Sequence, residues 1–117
     1  SFYIYADDTT TVDARFWYSA VVYNAKATYN ILNQWVNLSA VFQEAGKPNI
    51  LYINGVNVAQ SSNMPAGISS NNRNIFIGKY DGAPFLKGIT GEVWFYNRAL
   101  FPAEIQRNFL ATKWRYR

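Results

Sequence analysis

The sequence predicts an all-β, antiparallel β-sandwich with one short C-terminal helix. Three observations carry this. Aromatics are 18% of the 117 residues, with eight Phe, nine Tyr and four Trp against a single Met, and that balance favours strands over helices. Asn54-Gly55 separates two β-rich runs. It is the strongest short hairpin signal, because both turn residues must accept positive φ. Finally, an alternating apolar run, Gly91-Glu92-Val93-Trp94-Phe95-Tyr96, passes without a loop into a helical turn begun by Pro102.

Each element follows in order. Residues 2–6 read as a strand with aromatics on both faces. Residues 7–11, Asp-Asp-Thr-Thr-Thr, read as a turn, since short polar side chains compete there for backbone hydrogen bonds. Residues 15–23 give a second strand, and residues 24–30 a connector or a short strand. Residues 34–43 alternate cleanly. Val36, Leu38, Ala40 and Phe42 share one face, with Asn37, Ser39 and Val41 on the other. Residues 44–49 form a polar loop containing Gly46 and Pro48. Strands at 50–53 and 56–59 flank the Asn54-Gly55 turn.

Residues 61–74 carry Pro65, Gly67 and four Asn and read as a rim loop. A short strand at 74–78, a second rim loop at 79–84 and a last long strand at 89–97 follow. Pro102 suits the first helical position, where its missing N–H costs nothing. Glu104 lies in the first turn, where the helix dipole favours a carboxylate. Ile105 and Phe109 form an apolar stripe. The helix is expected over 102–111, packed across the end of the sandwich.

Composition narrows the function classes. Apolar residues at 50% and charged residues at 15% support one domain with one core. There is no cysteine and no histidine. The first removes disulfides and thiol chemistry. The second removes the commonest general base and transition-metal ligand. The net charge is +4, but Lys113, Arg115 and Arg117 supply most of it, and without them 8 basic residues face 7 acidic ones. A cationic stripe for nucleic acid is therefore missing. No apolar run reaches the roughly 18–20 residues of a membrane span. Neither nucleic acid nor membrane insertion is expected. No signal peptide is visible, and the chain opens directly on strand-like sequence, so upstream sequence is expected.

An ordered series of motifs resembles the laminin-G-like, concanavalin-A-like lectin/glucanase jelly-roll domains, most strongly over residues 34–117. Trp35-Val36-Asn37-Leu38-Ser39-Ala40-Val41-Phe42 is similar to the family's central strand. Leu51-Tyr52-Ile53-Asn54-Gly55-Val56 is similar to its hairpin and Ile75-Phe76-Ile77-Gly78 to its next strand. Leu86-Lys87-Gly88, Gly91-Glu92-Val93, Tyr96-Asn97-Arg98-Ala99-Leu100 and Glu104-Ile105 are similar to its closing strand and helix. The chain departs from the pattern at three places. Asn37 stands where the family often has His, Gly91 where it often has Asp, and Phe101 where a Ser or Thr would cap the helix. An exposed Phe101 should weaken the helix by roughly 1 kcal/mol. Such domains are usually longer, so the chain is expected to be a single domain lacking N-terminal strands of the sandwich.

Candidate chemistry is sparse. A glycosidase needs two carboxylates facing each other roughly 5–9.5 Å apart. Asp7 and Asp8 are adjacent and diverge, the closing strand holds only Glu92, and residues 35–42 hold no acid. The chain is not expected to be an enzyme. The resemblance implies calcium at a rim, with Asp7, Asp8 and Asp81 as oxygen-bearing candidates in predicted loops. For glycan stacking and hydroxyl recognition, the rim residues are Tyr80, Asp81, Asn63 and Asn72. Trp17-Tyr18 could add a ring if one faces solvent, although core packing is the expected role of Phe16-Trp17-Tyr18. Trp94 and Tyr96 are expected to pack on the helix or on a neighbouring subunit.

The resemblance implies a non-catalytic extracellular module that recognises glycan or protein through rim loops. The alternative is a structural or adhesion component of a virus or phage particle, such as a capsid, fibre or surface decoration. A third reading is an ancillary domain of a glycoside hydrolase. The partners expected are a glycan or protein surface, with a homo-oligomer or larger assembly as a further option. The location expected is secreted or on a virion surface.

Overall fold

Two three-stranded antiparallel sheets stack face to face, and a helix covers the outside of the second. The computed structural model describes residues 2–6, 10–67, 74–79 and 85–116. The first sheet is β1 (Phe2–Ala6), β2 (Thr11–Tyr18) and β3 (Val21–Thr28). The second is β4 (Leu38–Val41), β5 (Pro48–Ile53) and β6 (Val56–Asn63). The helix α1 spans Pro102–Thr112 and continues into a 3-10 turn at Lys113–Arg115. The expected all-β sandwich with one C-terminal helix is what forms.

Period-two alternation sets the layers. Val12, Ala14 and Ala25 of the first sheet meet Leu51 and Ile53 of the second. Val36, Leu38, Ala40 and Phe42 line the same interior, on the face the alternation assigns them. Val41 faces the other way and joins Tyr52 and Ile105 in a second cluster beneath the helix, with Ile50 and Leu100. Strand β5 is thus covered on both faces. Each fully buried aliphatic side chain in it contributes about 1.5–3 kcal/mol. Burial also pushes the Tyr52 phenol above its ordinary pKa.

Polar contacts fix the ends. Asn54 and Gly55 adopt φ of 51° and 78°, as the β5–β6 hairpin requires. Asn54 Nδ2 donates to the Tyr29 hydroxyl at 2.9 Å, and Asn54 Oδ1 accepts from the Asn37 N–H at 2.9 Å. Asn49 is buried between the sheets and donates from Nδ2 to the Tyr23 carbonyl at 2.8 Å, tying β5 to β3.

Several expectations are corrected. The run expected as one strand over 15–23 is two strands, with a two-residue turn at Ser19 and Ala20 (φ 48° and 65°). The ambiguous residues 24–30 largely belong to β3. Strand β4 is shorter than the expected 34–43, because the chain turns at residues 32–34. Strand β6 runs on to Asn63, into the expected loop. Among the described residues, 74–78 form no strand, and an isolated bridge pairs Lys79 with Phe85. Among the described residues, 89–97 also join no ladder. Side-chain ties to the helix and tail hold them instead. Finally, α1 lies over the outer face of the second sheet and its hairpin turn rather than across the sandwich end.

Candidate functional site

Two surfaces concentrate chemistry among the described residues. The first is the outward face of the β1–β2–β3 sheet. The antiparallel register sets Tyr3 opposite Arg15, Tyr5 opposite Asp13, Asp13 opposite Lys26 and Arg15 opposite Asn24. Alternation puts these side chains on one face, with Trp17 two residues beyond Arg15. Phe16 turns inward and is buried, while Trp17 turns outward and is 43% exposed.

Asp13 sits at the centre of this face, yet it is 0% exposed. Its Oδ2 accepts from Arg15 Nη2 at 2.8 Å and more weakly from Asn24 Nδ2 at 3.4 Å. The Arg15 guanidinium also lies 4.8 Å from the centroid of the Tyr5 ring. Asp13 Oδ1 is enclosed and accepts no hydrogen bond. Tyr3, Tyr5, Trp17 and Lys26 each make further contacts. Taking a carboxylate out of water costs several kcal/mol unless it is paired, so this network is strongly constrained. Rings flanking this network can stack on sugar C–H faces, while the exposed Asn24 and the partly exposed Arg15 guanidinium can meet hydroxyls.

The second surface is an open groove of about 490 Å³ lined by Val93, Trp94, Phe95, Tyr96 and Asn108. Asn108 Nδ2 donates to the Tyr96 hydroxyl at 3.2 Å. Below the groove, Tyr116 packs on Trp35 with ring centroids 4.8 Å apart, and Glu92 pairs with Arg115. Tyr116 also covers Gly91, where a side chain would overlap its ring. Burial first, then the Glu92 charge, raises the Tyr116 pKa. At the helix start Arg98 grips Glu104 through two bonds of 2.9 and 2.7 Å. Together with the Phe101 N–H, it lowers the Glu104 pKa to about 2.

Of the rim residues expected to bind ligand, Asn63 is the exposed last residue of β6, opposite Pro48 in the second sheet. Tyr80, Asp81 and Asn72 lie outside the described residues. So do the calcium candidates Asp7 and Asp8, and Asp81 again. Among the described residues no three acids cluster to hold a metal ion. Each of the four described acids, Asp13, Glu44, Glu92 and Glu104, pairs with its own cation. The sequence alone does not single out Asp13 and Arg15, because the strand it predicts begins only at Arg15. The available signal was the i, i+2 spacing of opposite charges in Val12-Asp13-Ala14-Arg15-Phe16.

A family model, described as that of the concanavalin A-like lectin/glucanases superfamily, matches residues 1–106. No curated protein and no solved structure matches the chain.

Proposed function

The chain belongs to the concanavalin A-like lectin/glucanase superfamily, and on that premise we propose that it is a non-catalytic module that binds glycan outside the cell or on a particle surface. The superfamily's sandwich is a fold suited to carbohydrate or protein binding. The recognising surface is the outward face of the first sheet. One observation carries this reading. The exposed Trp17 ring shares one sheet face with Arg15 and Asn24, whose side chains the buried Asp13 holds in place. All four described acids are engaged in ion pairs, whereas a glycosidase's general acid must carry a proton to donate to the leaving group, and this supports a binding role over hydrolysis.

A glycan panel, run with and without calcium, tests the reading. Saturable binding is expected, and Trp17→Ala should weaken it at least about tenfold, or about 1.4 kcal/mol. No saturable binding under either condition would sink the glycan reading. Loss of binding on Tyr80→Ala but not on Trp17→Ala would move the site to the rim.

A further inference from the structure

We propose that the outward face of the first sheet holds an internal run of about three sugars of a linear, equatorially linked glycan, lying along β2, rather than a single end sugar. This rests on the reading of that face as the glycan-binding surface, and it adds the length and shape of what is bound. The antiparallel register arranges the face in rows. Trp17 heads one row, Arg15 and Asn24 share the next, and Tyr5, Asp13 and Lys26 share the third. Successive rows are two residues apart along β2, about 6.7 Å, so the three rows extend over about 13 Å. A pyranose ring with its hydroxyls is roughly 6 Å across, from bonds of about 1.5 Å. One sugar therefore meets one row and leaves the other two bare.

Each row offers different chemistry. Trp17 is 43% exposed and presents a ring to the C–H face of a sugar. In the middle row the Asn24 amide brings an acceptor and donors, and the Arg15 guanidinium brings donors alone. Both donate to Asp13 Oδ2, at 3.4 and 2.8 Å, so they are oriented before a ligand arrives. Neighbouring equatorial hydroxyls, each a donor and an acceptor, match that pair. In the third row the exposed Lys26 adds donors, while the Tyr5 ring lies 4.8 Å from the Arg15 guanidinium and backs it. Asp13, the only acid in the three rows, is 0% exposed and orients the others without itself meeting the ligand. Equatorial linkages keep successive sugar rings extended and in line, as the rows are. Axial linkages turn a chain away from a straight row.

Calorimetric titration with β-1,4-linked glucose, xylose and N-acetylglucosamine oligomers of one to six units is the test. In at least one series Kd should fall at least about tenfold from one sugar to three and level off beyond about four. Reducing the terminal aldehyde of the hexamer with borohydride should leave its binding unchanged, because the ends are not what is held. Trp17→Ala and Lys26→Ala, at exposed sites in the two outer rows, should each weaken hexamer binding at least about threefold, and their effects should add. Val56→Ala, at an exposed site on β6, should change nothing. Thermal melting of each variant checks that the fold is kept. Full affinity from one sugar overturns the proposal and leaves the glycan reading standing. So does a hexamer weakened by Trp17→Ala but not by Lys26→Ala. No binding in any of the three series also overturns the proposal, and the glycan panel then decides whether the glycan reading falls with it.

Discussion

Phe109 of the helix lies directly over Gly55 of the β5–β6 turn. A Cβ on Gly55 would stand 3.1 Å from Phe109 Cδ1 and 3.3 Å from the Gln106 Cα. Glycine is therefore required twice over, once for its φ of 78° and once for space. Gly55→Ala should destabilise the protein by about 1–3 kcal/mol, the ordinary cost of holding a side chain in the left-handed region. Urea denaturation reads this, and an unchanged midpoint would show that the helix gives way freely.

The turn at Ser19 and Ala20 has the opposite character. Both residues sit at positive φ without being Gly or Asn. The left-handed conformation costs an ordinary residue roughly 1–2 kcal/mol. Ala20→Gly should therefore raise stability by about 1 kcal/mol, measured by thermal or urea unfolding.

Helix α1 begins with half a capping box. Glu104 Oε2 accepts from the Phe101 N–H at 2.8 Å, but the Phe101 ring accepts nothing in return and is 71% exposed. The Glu104 N–H donates only to the Phe101 carbonyl at 3.0 Å, and Phe101→Ser would add the side-chain acceptor of a complete box. A gain of about 1 kcal/mol is expected. A loss would mean that the exposed ring has a partner.

The Glu104 carboxyl should titrate with a midpoint near 2 when followed by carbon NMR, well below its ordinary 4.5. A depressed folded-state pKa stabilises the fold fully above the unfolded value. Its contribution is then lost as pH falls from about 4.5 towards 2. Arg98→Gln should raise the midpoint without restoring 4.5, because the Phe101 N–H still binds the carboxylate.

Much of the fold was legible because burial follows period two. The faces of residues 36–42 and the Asn54-Gly55 turn are set by local chemistry, and both are found as read. The Ser19-Ala20 turn carried no Gly, Asn or Pro to mark it, so two strands read as one. The site was harder. Asp13 is a charged residue within an apolar strand, and only the pairing of β2 with β1 and β3 shows Tyr5, Lys26 and Asn24 gathered around it. Residues 89–97 read as a strand from alternation alone, but a ladder also needs a neighbour, and among the described residues they have none.

Strand β5 is clasped from two sides, by Leu51 and Ile53 within the sandwich and by Ile50 and Tyr52 beneath the helix. A protease that nicked the exposed chain at Trp94 or Phe95 would therefore not release the C-terminal piece. Ile105 and Leu100 would stay seated on Tyr52 and Val41, and the two fragments would behave as one particle until both melted together.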